Sequence, residues 1–93
     1  MENINKITSD FETESISVQE VQRRLSRYLY LEANEMDCAV SSNKIEAAIR
    51  TIENDLELIL YTMKEENQVE ATLAILSKAT RLLAGRFDLD KNN

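Results

Sequence analysis

The most regular hydrophobic repeat in this chain runs from residue 45 to residue 63 and reads IEAAIRTIENDLELILYTM. Within it, large apolar residues recur at alternating intervals of four and three, the rhythm of a coiled-coil seam on an α-helix. The seam consists of Ile45, Ile49, Ile52, Leu56, Ile59 and Met63. The repeat therefore predicts a helix that packs against other helices along one stripe.

Similar patterns predict one helix before this segment and another after it. Ser17 followed by Glu20 is a capping box, which marks the start of the first helix. A polar interval after Met63 separates the second helix from the third, and Gly85 supplies the left-handed residue that commonly ends a helix. The predicted helices cover residues 18–40, 44–65 and 68–84. A single unbroken helix over the last two remains open as an alternative.

The third helix should bury a seam with the same spacing as the second. Its expected members are Val69, Leu73, Leu76, Thr80, Leu83 and Phe87. The two ends of the chain lack a sustained hydrophobic period. We therefore predict a flexible acidic tail over residues 1–16 and a short C-terminal tail over residues 88–93.

The composition favours an all-α fold. The chain has 93 residues with no proline and one glycine, so it lacks the usual residues of turns. We expect an antiparallel three-helix bundle, or a helical hairpin with a third helix. A chain of this size gains from burial against a partner, so we also expect the bundle to dimerise.

Apolar side chains exceed the needs of one stripe per helix at two places. Around Leu29 and beside the seam of the second helix, they point nearly all round the helix. If the hairpin folds about Ser42, both groups fall in its half away from the loop. One interpretation is that the third helix covers part of these side chains. The interpretation we favour is that they form a partner-binding surface. Its expected residues are Tyr28, Tyr30, Leu31, Leu58, Leu60 and Tyr61.

The charge of the chain limits the classes of partner. Acidic residues outnumber basic ones 17 to 11, and the net charge of −6 disfavours nucleic acid and anionic lipid. Even the longest apolar runs, of which Leu58 to Tyr61 is one, are too short to span a bilayer. The lone Cys38 fits a reducing compartment, so we expect a cytoplasmic protein whose partner is another protein.

Three arginines, Arg23, Arg24 and Arg27, form the one basic cluster of the sequence. Pairing with Glu20 on the helix surface would explain the first two. The alternative is a contact with an acidic partner, such as residues 10–14 of a neighbouring chain. The sequence leaves both interpretations open.

The chain lacks the residues that several kinds of catalytic site require. There is no histidine and one cysteine, which excludes Ser-His-Asp triads, histidine metal sites and cysteine zinc sites. Helical nucleoside triphosphate pyrophosphatases of the MazG type hold Mg²⁺ with carboxylates from facing helices, and Glu32 with Glu35 resembles half of that motif. Glu53 and Asp55 lie two residues apart and cannot both face one ion. We therefore expect no enzyme activity, cofactor or metal.

The run Asn43-Lys44-Ile45, followed by Ile49, Ile52 and Glu53, resembles small enterobacterial biofilm and acid-stress connector proteins. That family is acidic, helical and dimeric, but the similar run is short and carries no activity motif. We expect a non-enzymatic interaction module, namely a small bacterial regulator, adaptor or secretion-type chaperone, acting as a homodimer or within a hetero-complex. The alternative is a DNA-binding or stress and biofilm transcriptional regulator, and a Mg²⁺-dependent pyrophosphatase-like enzyme ranks below both.

Overall fold

The computed structural model describes residues 2–35 and 41–87, which fold into four α-helices without a strand in these ranges. The expectation of an all-α fold is confirmed. The described bundle has four helices, however, where three were predicted. They are α1 (Ile4–Glu12), α2 (Val18–Glu35), α3 (Ser42–Thr62) and α4 (Glu65–Ala84).

The additional helix, α1, lies in the segment that we predicted to be a flexible acidic tail, so that prediction was wrong. The Asn3 side chain caps the helix by accepting a hydrogen bond from the Lys6 backbone N–H at 2.8 Å. Ile4, Ile7 and Phe11 are buried, and the helix packs against α2 and α4. A stripe of only three apolar residues is too short to stand out as a period among polar neighbours.

α3 lies between α2 and α4 and supplies the centre of the core. The middle of its predicted seam, from Ile49 to Ile59, is buried, whereas Ile45 is half-buried and Met63 is exposed beyond the helix end. α2 contributes Val21, Leu25 and Leu29 to the same core. The short connections between these long helices make α3 antiparallel to both neighbours. The predicted seam of α3 is thus confirmed except at its two ends.

The buried face of α4 is rotated from the predicted seam. Leu76 is buried as expected, but Thr80 is exposed and Val69 is more than half exposed. Thr72, Ala79 and Leu82 are buried instead. Thr72 and Ala79 are small residues, which a pattern built on large apolar side chains does not detect, and without them the sequence favoured Leu83 over its neighbour Leu82.

The helix starts and breaks follow local hydrogen bonds. The Glu20 backbone N–H donates to the Ser17 hydroxyl at 3.2 Å, and α2 starts at Val18 as predicted. α3 starts two residues before the predicted position because Ser41 supplies the cap, accepting from the Lys44 N–H at 3.4 Å. The predicted end of the first helix near residue 40 and residues 88–93 lie outside the described residues.

The break between α3 and α4 falls at Met63 and Lys64, so the alternative of one unbroken helix was wrong. The Gln68 amide of α4 donates to the Met63 carbonyl at 3.1 Å and to the Ile59 carbonyl at 3.4 Å, which links the start of α4 to the end of α3. The chain turns here without a glycine or proline.

The end of α4 also differs from the prediction. Gly85 has φ −87° and is not left-handed, whereas Arg86 and Phe87 have φ values of 52° and 69°. Burial of the Phe87 ring accompanies this turn, since the side chain is 2% exposed. Phe87 thereby fills the core from the turn that ends α4 rather than as the last seam residue of a helix.

None of the helices α1 to α4 combines the length and the apolar character needed to cross a membrane.

Replacing Ile7 by alanine tests whether α1 belongs to the fold. The Ile7 side chain is fully buried, so Ile7→Ala should lower the free energy of unfolding by about 2–4 kcal/mol in urea titrations. Ser9→Ala, on the exposed side of the same helix, should change it by less than about 0.5 kcal/mol. Equal effects of the two substitutions would contradict the packing of α1.

A second substitution tests the packing of α4. The Thr72 hydroxyl is buried and has no hydrogen-bond partner among the described residues. Thr72→Val keeps the shape and removes the unpaired polar atom, so it should raise the free energy of unfolding by about 1 kcal/mol. Thr80→Val is the matched control, since the exposed Thr80 hydroxyl already donates to the Leu76 carbonyl at 3.0 Å. A loss of stability in Thr72→Val would contradict the conclusion that the Thr72 hydroxyl is buried without a hydrogen-bond partner among the described residues.

Candidate interaction surface

The most exposed apolar side chains of α3 lie on the side of the helix that faces away from the core. Leu58 is 58% exposed and Tyr61, one turn further along, is 80% exposed. Together with Asn54 and Glu57 they line a shallow hollow of about 370 Å³. Five other residues of α3 already fill the core, so nothing in the bundle requires these two side chains to be apolar.

Tyr30 of α2 borders the same surface. It is 38% exposed and lines a neighbouring hollow with Gln22 of α2 and with residues of α3. Asn54 and Glu57 line both hollows, which makes the two hollows parts of one continuous surface. We call this the α3 outer surface, and it comprises Tyr30, Asn54, Glu57, Leu58 and Tyr61.

The other three residues of the predicted interface lie elsewhere. Tyr28 and Leu31 lie on the opposite side of α2, in a hollow that they share with Glu2 of the N-terminal segment. Burial raises the pKa of the Tyr28 phenol, and the negative charge of Glu32 adds to the shift. Leu60 is half-buried and packs against the core. The structure therefore does not bring the six predicted residues together.

The pairing of α2 with α3 explains this separation. A hairpin folded about Ser42 would place Glu53 opposite Leu31. Instead, the Gln22 amide donates to the Glu53 carbonyl at 3.1 Å and the Ser26 hydroxyl donates to the Glu53 carboxylate at 2.6 Å. The residues of α2 that contact Glu53 therefore differ from the predicted one by five to nine positions. The prediction took Ser42 as the midpoint of the hairpin, whereas the midpoint between the described helix ends, Glu35 and Ser42, comes earlier in the sequence.

The arginine cluster also divides into different roles. The Arg24 side chain is 14% exposed and donates to both Glu2 oxygens at 2.7 Å and to Asp10 at 2.9 Å. These bonds lower the pKa values of Glu2 and Asp10 and raise that of Arg24. The acidic partner that we considered for this arginine therefore lies in the same chain, and the contact holds the N-terminal segment against α2.

Arg23 and Arg27 remain on the surface. Arg23 binds Glu20 through a nitrogen–oxygen contact of 3.1 Å, as surface pairing predicted, and this bond lowers the pKa of Glu20. Arg27 is exposed and makes no ion pair or hydrogen bond with the described part of the chain. It lies on the same side of α2 as Tyr28, away from the α3 outer surface.

The acidic residues considered for Mg²⁺ have separate partners. Glu53 accepts from Ser26 of α2, whereas Asp55 pairs with Lys78 of α4 at 3.0 Å. The two carboxylates thus face different neighbouring helices. Within residues 2–35 and 41–87, no three acidic or cysteine side chains lie close enough together to hold a metal ion.

We found no protein-family model that matches the chain, and no curated protein or solved structure that is significantly similar to it. The resemblance of the run that starts at Asn43 to the connector proteins gains no support from these comparisons. Functional inference therefore rests on the surface of the molecule.

Two residues of the α3 outer surface, Asn54 and Glu57, were not predicted from the sequence. Neither is apolar, so a search for surplus apolar residues could not find them. Their signal is position: Asn54 lies four residues before Leu58, and Glu57 lies four before Tyr61, which places each pair on one side of the helix.

The Arg24 contacts predict a dependence of stability on pH. Glu2 and Asp10 have lowered pKa values in the folded chain, so their contribution is present above the unfolded pKa values and is lost as the pH falls through the folded ones. Carboxyl groups in unfolded chains titrate near pH 4. Arg24→Gln should therefore be clearly less stable than the parent chain at about pH 7, and the difference should shrink at about pH 2–3.

Urea titrations at both pH values measure this effect. Arg27→Gln is the matched control, because Arg27 makes no such contacts with the described residues and its removal should matter little at either pH. A difference between Arg24→Gln and the parent chain that stayed the same across this pH range would contradict the assigned ion pairs.

Proposed function

We propose that this chain is a non-enzymatic helical interaction module that binds a helical protein through the α3 outer surface. The observation that carries the proposal is the exposure of Leu58 and Tyr61, 58% and 80%, on a helix whose other side already fills the core. Large apolar side chains that are not used for folding are typical of protein interfaces. A small regulator, an adaptor and a secretion-type chaperone all act through such a surface.

The chemistry of the surface favours a protein partner. Tyrosine combines a large apolar ring with a polar hydroxyl, which suits a surface that is wet when free and dry when bound. A ridge of side chains one turn apart on a helix fits a groove on a helical partner. The net charge of −6 and the acidic Glu57 on the surface disfavour a phosphate backbone.

The arginines give no competing case for nucleic acid. Arg24 is held by Glu2 and Asp10, and Arg23 is held by Glu20, so their charges are compensated within the chain. Of the three clustered arginines, Arg27 is the one that lacks such a partner among the described residues. Duplex binding requires several cations along one face, and this cluster leaves only one.

Two side chains should supply most of the affinity. Full burial of an apolar side chain of this size contributes about 1.5–3 kcal/mol before ordering costs. Leu58 and Tyr61 would act as the anchors, and Tyr30, Asn54 and Glu57 would add polar contacts beside them.

Replacing Leu58 by serine tests the proposal. The side chain is mostly exposed, so Leu58→Ser should change the free energy of unfolding by less than about 0.5 kcal/mol while weakening partner binding at least tenfold. Leu31→Ser is the matched control, since Leu31 is 49% exposed but lies on the other side of α2.

Binding can be followed with a photo-crosslinking amino acid at Tyr61 in the cells that naturally produce the chain. A discrete adduct that survives Leu31→Ser and disappears in Leu58→Ser is the expected result. The same adduct in both variants, or no adduct from a folded chain, would contradict the proposal.

A further inference from the structure

The outer side of α3 carries a second stripe with coiled-coil spacing. Its members are separated by four, three, four and three residues, and all of them are exposed. None is charged, although 30% of the chain is. The stripe consists of Ala47, Thr51, Asn54, Leu58 and Tyr61. This repeat runs parallel to the buried seam on the same helix.

The one hydroxyl in the middle of this stripe is already satisfied. Thr51 donates to the Ala47 carbonyl at 2.9 Å, within its own helix. Covering Thr51 by an apolar partner therefore leaves no unpaired donor, and its methyl group is free to pack. Asn54, at the centre of the stripe, has a side-chain amide that would need a polar partner in a dry contact.

The charges beside the stripe that no other helix of the bundle holds lie on one flank. Arg50 and Glu57 are exposed, seven residues apart, and lie on the side that faces α2. On the other flank Ala48 is buried and Asp55 is paired with Lys78 of α4 at 3.0 Å. The flank with Arg50 and Glu57 is thus the one with charges available for a second helix.

We propose that the occupant of the α3 outer surface is a second copy of this chain, with the two α3 helices antiparallel and a two-fold axis near Asn54. This inference rests on the proposed function and names its partner. In this arrangement Arg50 lies opposite Glu57 of the partner subunit, and the pair occurs twice. Ala47 lies opposite Tyr61 of the partner subunit, so a small residue faces a large one.

The antiparallel arrangement is favoured over the parallel one by both size and charge. A parallel pair would place Tyr61 against Tyr61 of the partner subunit and Ala47 against Ala47 of the partner subunit. It would also bring Glu57 to the flank of Thr62, which offers no cation, and Arg50 to the flank of Asp55, whose carboxylate is already held by Lys78. The antiparallel pair matches both features and leaves the two Asn54 amides adjacent, where they can bond to each other.

Two further observations fit this contact. Arg50 now pairs with Glu46 at 2.9 Å, but both side chains are more than half exposed, and such a pair on one helix is weak enough to yield to another carboxylate. Tyr30 lines the hollow that holds Arg50 and Glu57, so it would border the paired charges and extend the contact to α2. The contact is small, because it involves one stripe of α3, its flanking charges and Tyr30. We therefore expect weak self-association, with a dissociation constant on the order of tens of micromolar.

Charge exchange tests the arrangement directly, with sedimentation equilibrium as the measurement. Arg50→Glu and Glu57→Arg should each weaken self-association about tenfold, because each places like charges opposite one another twice. The double variant Arg50→Glu with Glu57→Arg should restore it. A mixture of the two single variants should form a heterodimer more tightly than either forms a homodimer.

Controls separate this contact from the local helix effects. Glu46→Gln removes the pair that Arg50 makes within its own helix, and it should leave self-association unchanged. Circular dichroism should show the same helix content in all variants. In a Cys38→Ser background, Asn54→Cys should form a disulfide-linked dimer on mild oxidation, whereas Glu46→Cys should not.

The contrary results are distinct. A parent chain that stays monomeric at the highest soluble concentration would overturn the proposed self-pairing, and so would a dimer that is insensitive to both charge reversals. If a crosslinker at Tyr61 then captured a different helical protein in a manner that depends on Leu58, the self-pairing would be wrong and the proposed function would stand.

Discussion

Burial of the Ile49, Ile52, Leu56 and Ile59 stripe is the interaction on which the rest of the structure depends. Once this stripe faces α2 and α4, the rotation of α3 about its own axis is set. Polar contacts on both flanks hold the same rotation, since Glu53 is bound by α2 and Asp55 by α4. The opposite side of the helix must then face outward, and Leu58 with Tyr61 is exposed as a consequence of how the core forms.

α1 determines which apolar surface is left over. It packs against α2 and α4, so Ile7 and Phe11 cover a side of the bundle that three helices would leave open. The Arg24 contacts to Glu2 and Asp10 hold this segment in place with charge-assisted bonds. The apolar surplus that the sequence shows in α2 is partly absorbed there, whereas the surplus in α3 lies on the other side of the molecule and is not.

Sequence reasoning predicted what depends on long, regular patterns. The seam of α3, the capping box at Ser17 and the helical class all follow from local chemistry that a single helix displays by itself. The rotation of α4 could not be predicted, because it depends on Thr72 and Ala79 fitting against neighbours that the pattern does not reveal. α1 was missed because its three apolar residues are buried only by packing against α2 and α4, which the sequence of α1 alone does not show.

The candidate surface was likewise predicted only in part from the sequence. The exposure of Leu58 and Tyr61 followed from their positions beside the α3 seam. Grouping them with Tyr28 and Leu31 was wrong, because it required the pairing of two helices, and the Gln22 and Ser26 contacts to Glu53 place that pairing elsewhere. Periodicity along one helix is local information, whereas the offset between two helices depends on the connection between them.

The composition of the two sides of α3 bears on what the outer side does. A helix face that only meets water collects charged residues, and this chain has them in abundance. The stripe from Ala47 to Tyr61 has none, while Arg50 and Glu57 stand directly beside it. In the proposed pairing, Leu58 and Tyr61 provide the buried area, and Asn54 with the flanking charges fixes the alignment, as a single polar residue does in coiled coils. Polar groups in such a contact lower its affinity but restrict it to one partner and one orientation. A small interaction module requires this kind of specificity.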